Sequence, residues 1–510
     1  MSTQSYESQV PSKSLERDVS QQTRVLLVTD DLSIEVDPYL FDAAVTKHYV
    51  DQYFTSVNQS PYYMLPRAPF LAWISAQEKT TTQKILLYAI MAAGASFSRH
   101  RHQNTHCRLF TRIAQDGLRS CNSWFELPAI HALLILSTVS AHAGDLKRAH
   151  DDSVAAMRCA YGLQLNEERT YAGGHAEAAY VTASHVAECC RRTFWLAYTR
   201  STVWGSFFAG SSNSTMLQGS LSMPCNDTAY EAGDILKTPQ MHLDSPSSHH
   251  EALNEAGGRL PSHMSLLIEA VAIVRDLGRH DSSSLPEHHH TAQSPSESSL
   301  AQAIRTWRHR LDEIHLSSRS PKPPCFQLLG KYLSLLHHRY IPHPISHYNQ
   351  AHHSATQLLE HLHHTPDLTS SSDPLLSCTI FLAFDTLTAS GLLTSVLDRR
   401  ETSNSGRLTF MSLATQAVAT MSELAEYCAL AATQLSAMKK RLAAIMAQSN
   451  TAGAWSKRGF YFASPLCVSM RRKYDIVYDL DRRAIAEELG LGSDKGGEML
   501  EMVVPLEEGR

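Results

Sequence analysis

The sequence predicts an all-α protein, a multi-helix array interrupted by disordered loops. Three observations carry that expectation. Apolar residues recur at spacings of three and four, as in Ile85, Leu86, Tyr88, Ala89, Ala92 and Ala93, and again in Ile130, Leu133, Leu134 and Ser137; that spacing lines one face of a helix. Alternation of β-branched with polar residues, the mark of a half-buried strand, is scarce. The periodic runs are separated by stretches rich in Ser, His, Gly and Pro, too polar to bury much surface.

Taken in order, residues 1–37 are polar and are expected to be a disordered N-terminal segment. From Pro38 to about residue 230 one helical pattern follows another, giving a first helical part over 38–230. Within it Ala129–Val139 is one of the longest apolar stretches but is too short to cross a bilayer, so it is expected to be a core helix. Residues 231–262 read as a linker. A second helical part covers 263–450, with runs at Met264–His280, Leu300–Leu316, Phe326–His338, Ser346–His364 and Pro374–Asp398. A further single helix is expected over Leu408–Ala447. Disordered loops are expected inside this part at 281–299, which holds His288-His-His, and at 365–374. Residues 451–510 form a C-terminal segment. From Tyr474 onward it carries ten Asp and Glu against four Lys and Arg, interleaved with apolar residues as in Met499-Leu-Glu-Met-Val-Val-Pro-Leu-Glu-Glu. That composition fits both an activation segment and a plain solvated tail.

Composition narrows the classes. The chain has 510 residues, 45 Lys and Arg, 50 Asp and Glu, and a formal net charge of −5. It lacks the electropositive footprint of a self-sufficient nucleic-acid binder. The ten cysteines are scattered, with no C-x-x-C pair, which speaks against a zinc knuckle or a secreted disulfide framework and for reduced, mostly buried thiols. The N-terminus lacks a basic run followed by an apolar one. The expectation is an intracellular chain with no membrane partner.

Catalytic, cofactor and metal motifs give no candidate residues. Gly173-Gly174 and Gly257-Gly258 lack the Lys-Ser/Thr of a phosphate loop, and neither a G-x-S-x-G elbow nor an H-E-x-x-H occurs. With 28 His present a Cys/His pair has partners to draw on, but nothing local orients one. Between His337 and His364 lie nine histidines; His353 could share a helix face with His361 or His364. No carboxylate sits among them at ligand spacing, so they are expected on the polar faces of amphipathic helices. No enzyme, cofactor or metal is therefore expected. The basic clusters Lys439-Lys440-Arg441 and Arg471-Arg472-Lys473 are candidate nuclear localisation signals or solvated helix ends.

Several fragments, in one order, resemble the fungal-specific transcription factor domain, the regulatory middle region of fungal binuclear zinc-cluster activators. Tyr49-Val-Asp-Gln-Tyr-Phe followed by Pro66-Arg-Ala-Pro-Phe70 resembles its first helix and the loop ending in an anchoring Phe. Leu86–Ala95 resembles its small-residue helix, and Ile130–Leu136 with Gly144-Asp145 the next helix and turn. Ala156-Met-Arg-Cys-Ala-Tyr-Gly-Leu-Gln-Leu165 resembles the family's Ala-x-Arg-x-Ala-x-x-Leu-Gly-Leu helix. Arg191-Arg192-Thr-Phe194-Trp195 resembles its Arg-Arg-x-Phe-Trp helix, and Met223-Pro224-Cys225-Asn-Asp227 its closing turn. The run Leu333–Pro344 resembles a later His-Arg-Pro segment.

The residues themselves read as packing elements. Phe194 and Trp195 are expected inward, with the two guanidiniums over neighbouring acids or carbonyl ends. Ala156, Ala160 and Leu163 are expected on one face that permits close helix crossing. Two departures stand out: Gln164 occupies a usual Gly, and Gly210-Ser211-Ser212 a usual Gly-Arg-Pro.

The resemblance implies a nuclear regulator of RNA polymerase II transcription, with a secondary-metabolite biosynthetic gene cluster as candidate target. Family activators hold two zinc ions with six clustered cysteines near the N-terminus. Here the first cysteine is Cys107, so the DNA-reading module is expected to be absent and DNA contact to be indirect. The implied partners are a DNA-bound transcription factor or a second copy, the transcription machinery through the acidic tail, and a small-molecule effector. Two alternatives stay open: a truncated product of a zinc-cluster activator, and a helical small-molecule-binding protein or enzyme.

Overall fold

Helix starts in the first part are set by side chains that accept from the otherwise orphaned backbone N–H groups. In the computed structural model Asp37 caps α1 (Pro38–Phe41) and Asp42 caps α2 (Ala43–Ser56). After α3 (Arg67–Ala76), Thr80 and Gln83 form a reciprocal capping box at α4 (Thr81–Ser96). Then come α5 (Gln103–Ser120), α6 (Leu127–His142) with Pro128 in its first turn, α7 (Leu146–Gly162) capped by Asp145, and α8 (Val186–Phe207). Strand β1 (Ser220–Ser222), α9 (Asp227–Ala232) capped by Asn226, and β2 (Gln240–His242) complete this part. The second part holds α10 (His263–Ser283), α11 (Glu297–Ser318), α12 (Pro324–Tyr340), α13 (Ile345–His363), α14 (Asn404–Ala425) and α15 (Ala429–Ser449).

The structure describes residues 33–449 except 77, 99–102, 122–123, 169–178, 208–219, 235–237, 243–261, 284–296, 319–323, 341–344, 364–379, 381–382, 384–386, 388–403 and 427. Among the described residues the only strands are β1 and β2, and the protein is all-α. The expected disorder over most of 1–37, in the loop 365–374, in 284–296 and in the 451–510 segment with its acidic tail concerns residues outside those described, whereas 281–283 and 297–299, expected in the same loop, are the ends of α10 and α11.

Every residue of α6 is buried, as a helix apolar on all sides must be. Helices α4, α7 and α8 pack around it, and α2 and α5 flank α4. At the α2–α4 crossing a side chain on Gly94 would meet the Tyr49 carbonyl oxygen at 2.0 Å, so only glycine allows that approach. Two polar residues of α6 are held by hydrogen bonds within this core. His131 bonds the Tyr180 hydroxyl at 2.8 Å and Thr193 Oγ1 at 2.7 Å, and Ser137 donates to the Ala149 carbonyl at 2.7 Å.

From α8 the packing passes to α10, then through α11, α12, α13 and α14 to α15, whose start returns to the end of α6. There Cys428 Sγ donates to the His142 carbonyl at 3.6 Å. The two helical parts share one hydrophobic core. The single helix expected over Leu408–Ala447 is in fact two, broken at Glu426–Cys428. The break lets α15 fold back along α14 and reach α6, and no Gly or Pro marks it. Within 231–262, β2 pairs antiparallel with β1, Leu221 opposite Met241, and both of those side chains are buried. The helical run expected over Pro374–Asp398 lies outside the described residues apart from Ile380, Ala383 and Leu387, which are helical and buried.

Candidate functional site

Three stretches far apart in sequence meet on the first half of α8: the loop before α3, the charged residues of α8 itself, and the turn leading into α9. Glu188, Arg191 and Arg192 share one helix face at spacings of three and four. Arg192 Nε donates to Glu188 Oε1 at 2.8 Å, and Arg191 donates to Glu188 Oε2 through Nη1 and to Glu168 Oε1 through Nε at 3.0 Å. Arg192 Nη1 also donates to Asp227 Oδ1 at 2.8 Å and to the Tyr63 carbonyl at 2.7 Å, and its Nη2 to the Cys225 carbonyl at 2.5 Å. The Cys225 N–H donates back to Glu188 Oε1 at 2.9 Å, and the Tyr230 ring lies 4.4 Å from the guanidinium carbon.

Side chains Arg192 and Glu188 are both 0% exposed. Burial alone would pull the Arg192 proton off more easily; Asp227, Glu188 and Tyr230 outweigh that and raise its pKa. A buried ion pair adds little net stability over an apolar pair of the same shape, but removing one partner is strongly destabilising. The network therefore fixes which segments meet, and it does so through acceptors contributed by all three stretches.

Helix α9 extends the lock. Glu231 Oε1 accepts from the Ala68 N–H at 2.9 Å and Oε2 from the Arg67 N–H at 3.0 Å, with the Tyr63 hydroxyl donating to the same oxygen. A carboxylate from α9 thus caps α3, where the helix dipole favours negative charge. Asn58 closes the loop between α2 and α3, accepting from Met64 N at 2.9 Å and donating to the Leu65 carbonyl at 2.8 Å. Ser262 and Ser265, at the start of α10, both donate to the Pro224 carbonyl, at 2.9 and 3.1 Å. The closing turn is thereby tied to the second helical part as well.

Phe194 and Trp195 point inward and are fully buried, and Trp195 Nε1 donates to the Ser222 carbonyl at 2.9 Å. Ala156 and Ala160 are buried, whereas Leu163, the C-cap of α7, is half-buried. Gln164 follows in the left-handed region at φ 55°. Its N–H donates to the Tyr161 carbonyl at 2.8 Å and the Leu165 N–H to the Ala160 carbonyl at 2.9 Å, the double closure that normally places glycine at this position. The ends of α6 and α9 use the same closure with Gly144 and Gly233. Gly210-Ser211-Ser212 lies outside the described residues.

Of the histidine-rich stretch, His353 is exposed and bonds the Gln357 side chain at 2.7 Å; His288-His-His and His364 lie outside the described residues. Among the described residues no three His, Cys, Asp or Glu side chains converge to hold a metal ion. His131 is held neutral, burial pushing its pKa down to about 3. Of the cysteines whose side chains are described, Cys107 and Cys121 are half-buried and Cys159, Cys189, Cys190, Cys225 and Cys428 are buried. Burial raises Cys189 to about 11 and Cys225 to about 12, so neither is a thiolate at neutral pH. A cavity of about 10 Å³ lined by Tyr53, Tyr62, Leu134, Thr138 and Arg200 lies between α2, α6 and α8. That volume is at the lower limit of the space one water molecule needs. Among the described residues no helix is long and apolar enough to cross a membrane.

Sequence reasoning named both arginines, Phe194, Trp195 and Asp227 but missed Glu188, Tyr63, Tyr230 and Glu231. The Glu-x-x-Arg-Arg spacing is the one signal that could have found Glu188.

This arrangement defines a helical scaffold whose buried charged motif joins distant segments of the chain. The sequence model of the fungal specific transcription factor domain matches residues 50–309, and the chain belongs to that family. It therefore carries the regulatory domain of a fungal transcription factor. A search of curated proteins found none that matches.

Proposed function

We propose that the protein is a nuclear regulator of RNA polymerase II transcription that reaches promoters through a DNA-bound partner, and that it has no catalytic role. The observation that carries this reading is the family match over 50–309, with the family's Arg-Arg-x-Phe-Trp helix and closing turn joined in one buried network. The partner is invoked because Cys107, the first cysteine of the sequence, already lies on α5, so these residues offer no six-cysteine zinc cluster to read bases. The partner is another DNA-bound factor or a second copy of the chain. The acidic segment after Tyr474 supplies the contact to the transcription machinery, and secondary-metabolite genes are the target set.

The test pairs chromatin occupancy of a tagged copy with transcript levels after deletion. Discrete promoter peaks, altered transcripts from one gene cluster, and no promoter binding by the purified chain alone are the expected results. An absence of peaks together with unchanged transcripts would remove the reading.

A further inference from the structure

The seam where α10 packs along α8 joins the second helical part to the first, and it holds a charge that the network above does not use. Arg275 lies on α10 with its side chain 4% exposed. Its Nε donates to Asp276 Oδ1 at 3.1 Å. Neither Nη1 nor Nη2 has a hydrogen-bond partner among the described residues. A buried donor left without an acceptor is costly, and native structures satisfy nearly all of them.

The contrast with Arg192 is instructive. Both guanidiniums are buried and both bond a carboxylate through Nε, yet Arg192 spends its Nη1 and Nη2 groups on two carbonyls and Asp227. Asp276 occupies only one edge of Arg275 and leaves the buried end-on Nη1/Nη2 edge without an acceptor. That edge presents two parallel N–H donors in the spacing of the two oxygens of a carboxylate. Arg275 lies on α10, which packs along α8, and the Tyr198 phenol of α8 acts electrostatically on its guanidinium.

We propose that Arg275 anchors a binding site for a small carboxylate, taken by the Nη1/Nη2 edge of its guanidinium at the α8–α10 seam. Occupancy would join the second helical part to the first through a bound anion. The inference is independent of the transcriptional reading, because it concerns binding by the purified chain.

The test is thermal unfolding of the full 510-residue chain titrated with sodium formate, acetate and benzoate, against sodium chloride at matched ionic strength. A saturable rise in the unfolding midpoint with at least one carboxylate and none with chloride is expected. Arg275→Lys keeps the charge but loses the fork, and should raise the half-saturating concentration at least tenfold; Arg275→Met should abolish the response. Because Arg275→Met can fail to fold, the lysine variant, checked by circular dichroism, decides in that case. Half-saturation unchanged in Arg275→Lys, an equal response to chloride, a response to inorganic phosphate alone, or no saturable response to any of the three carboxylates would overturn the proposal.

Discussion

Replacing Arg192 by Met tests the lock directly. The substitution keeps an unbranched side chain of similar length and removes four hydrogen bonds, to Glu188, Asp227, the Tyr63 carbonyl and the Cys225 carbonyl. Glu188 then remains fully buried with Arg191 and the Cys225 N–H as its partners. Breaking one side of a buried ion pair costs about 3–5 kcal/mol. Each carbonyl left without a donor adds about 1–3 kcal/mol where it cannot reach water, so a loss of about 5 kcal/mol is expected. With a urea slope of about 3 kcal/mol/M, the unfolding midpoint falls by roughly 1.7 M. Removing Glu188 as well, as Leu, should restore part of the loss, since the stranded carboxylate is then gone. The coupling between the two changes should be about 2–3 kcal/mol. Urea unfolding followed by circular dichroism for parent, both single variants and the double variant gives all four values. An Arg192→Met loss under about 1 kcal/mol, or strictly additive single and double losses, would refute the argument that this pair locks the segments.

Three further outcomes are expected. Burial holds His131 and His142 neutral, with pKa values of about 3 and about 4, so the stability they confer is complete above the unfolded value of about 6.5 and is lost as pH falls. At pH 5 each loses about 2 kcal/mol. Asp152, raised by burial to about 6, works in the opposite direction and returns about 1.4 kcal/mol at that pH, leaving a net loss of about 2–3 kcal/mol; equal urea midpoints at pH 7.5 and pH 5 would contradict this. Gln164→Gly relieves a left-handed residue at about 1–2 kcal/mol against about 0.5–1 kcal/mol of added unfolded-state freedom, so a small rise in melting temperature is expected in calorimetry, and a fall would show that the Gln side chain contributes more than its backbone costs. Glu231→Ala removes the cap of α3 and should cost about 1–2 kcal/mol in denaturant unfolding, with no change expected if the α3 N–H groups are satisfied by solvent instead.

Much of the first helical part was legible in the sequence because its helices are marked locally. Ala129–Val139 announces a helix buried on all sides, and it became α6. The fragments from Tyr49 to Asp227 carried the family, and the inward orientation of Phe194 and Trp195 follows from two bulky aromatics in a helical run. The position of Gln164 was flagged as a usual glycine, and the structure gives the physical reason in its positive φ. What was not legible was pairing at a distance. Glu231 caps a helix 163 residues earlier in the chain, and nothing in Tyr-Glu-Ala announces that. Arg275 looks like any polar residue of an amphipathic helix, and nothing in its neighbours announces that it is buried.

The sequence by itself determined the fold class, the buried central helix and the family, because helical periodicity, caps and motif order are properties of neighbouring residues. Only the tertiary structure decided which charges are buried and what they hold, and where Leu408–Ala447 breaks so that α15 can return to α6. The reason is physical: the cost of burying a guanidinium or a carboxylate is set by partners brought in from elsewhere in the chain.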